Sequence, residues 1–271
     1  MNIYSILEKI GDLNTESSPK TRRESIFGLG SVGKSVAMAA VPFSILAAIP
    51  VIGKAGNTKS ITDVLNFALT LEYLEYEFYD MGVKKSSLIP DADRAIFEQI
   101  RKHEDAHVKF LTATIKALGG TPVTKPTFDF TANGAFDPFN VYAQFLALSQ
   151  GFEDTGVRAY KGQAGNLISN NDVLTAALQI HSVEARHASQ VRRLRMKNGL
   201  DDDNKGWITK ASRGTLPEPT QAIYNGEDNV MQGGVDVTTI YTASVDAVTE
   251  AFDEPLTDTE TLAIASLFIA S

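Results

Sequence analysis

Cysteine is absent from the 271-residue chain. That excludes disulfides, thiolate zinc and iron–sulfur sites and cysteine nucleophiles in one step. It leaves the compartment open, since a cysteine-free chain folds on either side of a membrane. A basic excess is missing as well. Asp and Glu outnumber Lys and Arg by 33 to 25, the net charge is −8, and such a chain lacks the positive face that nucleic acid requires. Long apolar runs are missing too. Lys34 and Pro42 interrupt the most apolar stretch near the N-terminus, so no stable membrane span of about 20 residues is expected. Tryptophan occurs once, as Trp207, and histidine four times, as His103, His107, His181 and His187. Where so few imidazoles fall is informative. The hydrophobic share of 43% is enough for a real core.

Arg22–Arg23 followed by a weakly apolar, Gly/Ala/Ser-rich stretch resembles a twin-arginine export signal. Small residues around Ala55–Gly56 suit a cleavage site. The expected location is therefore periplasmic or exported. An N-terminal helix docked on the body, in a cytoplasmic protein, is the alternative.

The middle of the chain reads as four helices, over residues 61–81, 91–118, 137–164 and 171–198, from apolar periodicity near 3.6. Thr62–Asp63, Pro90–Asp91, Asp137–Pro138 and Asn171–Asp172 supply starts, while Gly82, Gly119–Gly120 and Gly199 supply stops. Two short loops and one long link, residues 119–136, imply two antiparallel pairs joined by a crossover. The expectation is an all-α four-helix bundle with one long crossover, residues 59–199, between an N-terminal extension (1–58) and a C-terminal extension (200–271).

The halves echo each other. Glu72 precedes Tyr79 by seven residues, as Glu153 precedes Tyr160. Glu104-x-x-His107 in the first half matches Glu184-x-x-His187 in the second. Residues i and i+3 share a helix face about 5–6 Å apart, so each Glu-x-x-His aims a carboxylate and an imidazole at one point. A lone Glu-x-x-His is commonly a surface pair. Here both lie within apolar stripes, Phe97, Ile100, Glu104, His107, Leu111 and Ala177, Ile180, Glu184, His187, Val191. Buried charges are normally paired or bind metal. With one inward glutamate from each remaining helix, Glu72 and Glu153, the donor set is that of known di-iron and di-manganese carboxylate bundles. Oxygen donors with two imidazoles suit iron or manganese, and also zinc. Glu75 shares the face of Glu72 and is a reserve candidate, as a ligand or as support for the ligands from behind, while Glu77 points to solvent. His103 reads as a surface or packing residue. His181 lies near the motif face but reads first as a surface or packing residue, with support of a ligand as the other reading.

Residues 61–198 resemble the ferritin-like superfamily. Leu65, Asn66, Glu72 and Tyr79 match a bacterioferritin-type LN…E…Y pattern, followed by Glu104-x-x-His107, Glu153 and Glu184-x-x-His187. LNFALTLEYLEYEFY and the late AFDEPLT…LAIASLFI resemble the bacterial ferritin-like domain family that includes plant desiccation-related proteins. The resemblance implies two iron ions, with Glu104 and Glu184 bridging, Glu72 and Glu153 terminal and one histidine per metal. It implies that Tyr79 and Tyr160 hydrogen-bond ligand carboxylates, or that Tyr79 donates an electron. The six ligands would also be the catalytic residues of a ferroxidase using O2 or peroxide in stress protection. The alternatives are a metal-holding desiccation or stress protein without turnover and a metal-free interaction module. The long extensions depart from the short cage-forming ferritins, so a homo-oligomer is compatible and a 24-subunit cage is not expected. In the C-terminal extension, Trp207 is expected to bury against the bundle, Asp201–Asp203 to be solvated, and residues 236–252 and 256–270 to form two shorter helices. The last of these would dock on the bundle or on a second subunit.

Overall fold

The computed structural model describes residues 59–271 apart from 204, 241 and 271. The twin-arginine reading and its cleavage region lie outside the described residues. Four long helices dominate: α1 (Ile61–Lys84), α2 (Asp91–Ala117), α3 (Tyr142–Ala164) and α4 (Asn171–Lys197). α1 packs along α2 and α3 along α4, and α1 also meets α3. One long link, residues 118–141, joins the pairs, so the chain forms the expected all-α bundle with a single crossover. No described helix is long and apolar enough to cross a membrane.

The helix ends follow from local chemistry. Ser60 caps α1 in a capping box, its Oγ accepting from the Asp63 amide while the Asp63 carboxylate accepts from the Ser60 amide. Asn170 caps α4 by accepting from the Val173 amide at 3.2 Å. α2 and α4 both stop at a glycine with positive φ, Gly119 at 78° and Gly199 at 64°. In each, the next amide reaches back five residues, Gly120 to the Ile115 carbonyl at 2.9 Å and Leu200 to the Arg195 carbonyl at 3.0 Å. That is the Schellman closure, which glycine adopts without strain.

Two boundaries differ from expectation. α3 begins at Tyr142, not at Asp137–Pro138, because Asp137 closes a separate turn. Its carboxylate accepts from the Asn140 amide group at 2.7 Å, its backbone amide donates to Gln144 Oε1, and Val141 remains extended as the cap. Gly82 does not stop α1, which continues to Lys84. It is a close-approach residue, since a Cβ there would lie 2.3 Å from Cε2 of Phe145. Phe145 cannot retreat, being fully buried, stacked on Phe78 at 4.8 Å and edge-on to Phe97 at 5.0 Å. Gly82→Ala would gain about 1 kcal/mol of helix propensity, but overpacking a filled core costs about 1–3 kcal/mol. Net destabilisation is therefore expected, read as a lower urea midpoint at unchanged m-value.

Two apolar layers fill the bundle. One is aromatic and includes Phe78, Tyr79, Phe97, Phe130, Phe145 and Phe152. The other is mainly aliphatic and includes Leu65, Leu69, Leu111, Ile115, Tyr160 and Ile180. On α1 the apolar face is broad, with Val64, Leu65, Ala68 and Leu69 buried. Leu71, Leu74 and Phe78 are buried as well, because α3 and the C-terminal extension cover that flank.

The extension is mostly irregular. It holds a two-residue hairpin, β1 (Met231–Gln232) with β2 (Val235–Asp236), and three short helices, α5 (Val237–Ile240), α6 (Val245–Thr249) and α7 (Asp258–Ala265). The single helix expected over 236–252 is broken. Thr238 and Thr239 hydroxyls bond back to Asp236, and Ser244 starts α6 afresh by accepting from Ala247. α7 has the expected Thr257–Asp258 start, with a Thr257/Glu260 capping box, and packs on α3. Trp207 does not bury as expected; it is 47% exposed. Asp201 does not stay in solvent: it is buried, 3.8 Å from Arg195 Nη1, and accepts from the Thr215 amide.

Candidate metal centre

Between the aromatic and aliphatic layers, each helix turns polar side chains inward. α1 presents Glu72 and Glu75, α2 Glu104 and His107, α3 Glu153, and α4 Glu184 and His187. Glu72, Glu104, Glu153 and Glu184 are 0% exposed, Glu75 3%, His187 5% and His107 9%. The structure brings all six sequence-predicted ligands together in two overlapping groups. Glu72, Glu104, His107 and Glu184 form one, and Glu104, Glu153, Glu184 and His187 the other. Within each, the ligand atoms lie within 4.8 Å of one another and could hold a metal ion. Glu104 and Glu184 belong to both groups.

Both imidazoles aim Nδ1 inward. His107 Nδ1 lies 2.9 Å from Glu104 Oε2, 3.1 Å from Glu72 Oε2 and 3.3 Å from Glu184 Oε1. His187 Nδ1 lies 2.9 Å from Glu104 Oε1 and 3.3 Å from Glu153 Oε2. The two oxygens of Glu104 thus face different histidines. Several of these contacts are close without being hydrogen bonds. Glu104 Oε1, Glu153 Oε2, both oxygens of Glu184 and His187 Nδ1 are buried with no hydrogen-bond partner. An orphaned buried acceptor costs about 1–3 kcal/mol, and here the orphans converge. Hard oxygen donors with imidazole nitrogen are the chemistry that a divalent cation satisfies, so the residues fit a metal.

The protonation pattern says the same. Burial pushes Glu104 up, but the hydrogen bond from His107 and the close charges of His107 and His187 outweigh it and bring it down to about 2. Burial lifts Glu72 to about 7 against the pull of His107. Burial, then the charge of neighbouring carboxylates, holds Glu75 and Glu184 well above the ordinary range. Burial lowers His187, yet the surrounding Glu153 and Glu104 carry it to about 11, and His107 is raised too. Protons supply the positive charge that cations would replace.

Two tyrosines tie the halves together reciprocally. Tyr79 of α1 donates to Glu153 Oε1 of α3 at 2.5 Å, and Tyr160 of α3 donates to Glu72 Oε1 of α1 at 2.5 Å. Burial and the adjacent carboxylates raise both phenols well above 10, which keeps the donor proton in place.

Of the remaining imidazoles, His103 departs from its expected role and His181 keeps to packing. His103 is not a plain surface residue. Its Nδ1 lies 2.8 Å from Nε2 of His187, with the rings stacked at 10°, and its own Nε2 meets the Gln99 side-chain amide at 2.7 Å. The partner comes from α4, so no spacing within α2 could reveal it. His181 supports no ligand; its Nδ1 donates to the Val157 carbonyl at 3.0 Å. Glu77 is not simply solvated but pairs with Lys125 of the crossover. Because groups that orient a ligating imidazole are worth about 10–100-fold in metal affinity, His103→Ala is expected to weaken metal binding about tenfold in a chelator competition titration.

The family model of the ferritin-like domain matches residues 60–197, the span of all four long helices. No curated protein matches the chain.

Proposed function

Since the chain belongs to the ferritin-like domain family, we propose that it is a di-iron protein that oxidises iron with O2 or peroxide and serves in protection against oxidative stress. The observation that carries this reading is the pair of overlapping four-residue groups sharing Glu104 and Glu184. Glu72 and His107 would complete one metal subsite, Glu153 and His187 the other, with two anionic side chains between the cations to offset their repulsion. Manganese or zinc fits the same donors. When bound, two Fe(II) ions supply the two electrons that, with two protons, convert one peroxide into two waters. The protein's own part is positional. Tyr79 and Tyr160 fix Glu153 and Glu72, and the two apolar layers keep water out. Glu72, with its pKa at about 7, holds or releases a proton at neutral pH.

Aerobic addition of Fe(II) tests the proposal. Oxidation is expected to exceed the buffer rate by at least tenfold and to be lost in Glu104→Ala and Glu184→Ala. Burial of every ligand, with His107 the most exposed at 9%, also suits a protein that retains metal without turnover. Tight retention with oxidation no faster than buffer would select that role instead. Metal content equal to that of the two variants would remove both.

A further inference from the structure

The echo between the halves fails at one position. Glu72 and Tyr79 correspond to Glu153 and Tyr160, but Glu75, three residues after Glu72, corresponds to Gly156. Glycine inside a helix costs about 1 kcal/mol relative to alanine, and Gly156 sits well within α3. Its lack of a side chain is used. A Cβ built on Gly156 would lie 3.1 Å from Glu75 Oε1 and 3.3 Å from Glu184 Oε2. The carboxylate of Glu75 therefore occupies the space that a side chain on α3 would take, on the same side as Glu184.

Glu75 is 3% exposed, and no hydrogen bond or ion pair reaches its carboxylate from the described residues. Both oxygens of the neighbouring Glu184 are buried with no hydrogen-bond partner. Beyond these acids its surroundings are mainly apolar: Leu71, Leu74 and Phe152 line a cavity of about 20 Å³ beside it, which α7 covers with Ile264 and Ala265. A leucine at position 75 would satisfy that packing without the cost of burying an acid. Along α1 the inward row runs Glu72, Glu75, Tyr79. It starts at the His107 subsite and ends at the tyrosine bonded to Glu153. Glu75 thus lies on the Glu153 side of Glu72.

We propose that Glu75 is a fifth carboxylate ligand of the metal pair, belonging to the subsite of Glu153, Glu184 and His187. The inference rests on the metal reading above and adds asymmetry to it. One subsite has four protein ligands and the other five, so the two ions differ in affinity and coordination although the helices that hold them are near-repeats. Gly156 is the permissive residue, and the extra carboxylate enters from the opposite half of the bundle.

The test is anaerobic titration of the metal-free full chain with cobalt(II), followed by calorimetry and by visible absorption, which reports coordination number. Wild type is expected to take up two ions. Glu75→Gln, nearly isosteric, should weaken one binding step at least tenfold and leave the other within threefold. It should change the absorption of one cobalt equivalent only. Glu75→Asp keeps the charge but withdraws it by one methylene, and should also lose at least fivefold at that step; a purely electrostatic role would survive this change, and a packing role would survive Glu75→Gln. If Glu75→Gln does not fold, Glu75→Asp carries the test alone. Two ions in wild type with both variants within threefold at each step and an unchanged spectrum would overturn the role of Glu75 and leave the metal reading standing. Failure of folded wild type to bind cobalt would overturn both.

Discussion

Arg158→Ala is expected to lower the unfolding free energy by about 3–5 kcal/mol, the range for breaking a buried ion pair by removing one partner. The residue is on α3 and only 1% exposed. Its guanidinium pairs with Glu227 Oε1 at 2.7 Å and donates to the carbonyls of Ile223, Asn225 and Glu254. Four attachments along the C-terminal extension thus converge on one side chain, and the backbone adds a fifth where Leu256 donates to the Arg158 carbonyl at 3.1 Å. The extension has few regular elements of its own, so such buried polar anchors do much of its fastening. Arg192 is a second anchor, gripping Asp154 bidentately while Tyr224 donates to the same carboxylate at 2.7 Å. Removing Arg158 strands Glu227, which burial already raises to about 7 even beside the guanidinium. The sharper expectation is therefore non-additive: Arg158→Ala with Glu227→Gln should lose less than Arg158→Ala alone. Urea unfolding of the two singles and the double measures it. A fully additive cycle, or a loss under 1 kcal/mol for Arg158→Ala, would refute the anchoring role. Distance from the carboxylate cluster does not make the anchor irrelevant to it. The extension covers the outer flank of α3, which is why residues 145–160 are buried on every side.

The contrast between Glu104 and Arg158 shows which features the sequence carries. Glu104, His107, Glu184 and His187 are legible because i and i+3 share a helix face whatever else the chain does. Glu72 and Glu153 are legible through the repeat, and the structure places all of them in one cluster. The four helices are legible for the same local reason, although Asp137–Pro138 imitates a cap and Gly82 imitates a stop. What is not legible depends on partners far away in sequence. His103 acquires its meaning from His187, Gly82 from Phe145, Gly156 from Glu75, and Arg158 from carbonyls 65 or more residues onward. Trp207 shows the converse error. It is expected to bury against the bundle, yet it stands 47% exposed.

Metal removal is expected to reverse the pH dependence of stability. Without metal, Glu72 has a folded pKa raised from 4.5 to about 7. Its contribution is complete below 4.5 and is lost as the pH rises through 7. His187 is raised from 6.5 to about 11, so its contribution is complete below 6.5 and declines towards 11. Both make the metal-free fold weaker as pH increases, by about 2 kcal/mol each between pH 5.5 and 8, at 1.36 kcal/mol per pH unit. Glu104, depressed to about 2, acts in the opposite sense, but its window lies below 4.5 and shapes only the acid limb. His103 and His181, lowered by burial, also oppose the trend, but only below 6.5. Metal binding needs the same groups deprotonated, so it expels protons and tightens as pH rises. The stabilisation, RT ln(1 + [M]/Kd), grows with it. Calorimetric melting with excess Mn(II) and with chelator should therefore diverge, the gap being several-fold wider at pH 8 than at pH 5.5. A gap that stays constant or narrows would mean that the cluster does not exchange its protons for cations. Five carboxylates and two imidazoles would then be a neutralised polar core and not a metal centre. If the gap widens, protons and metals compete for one buried set of charges, and iron loading must acidify the medium as it proceeds.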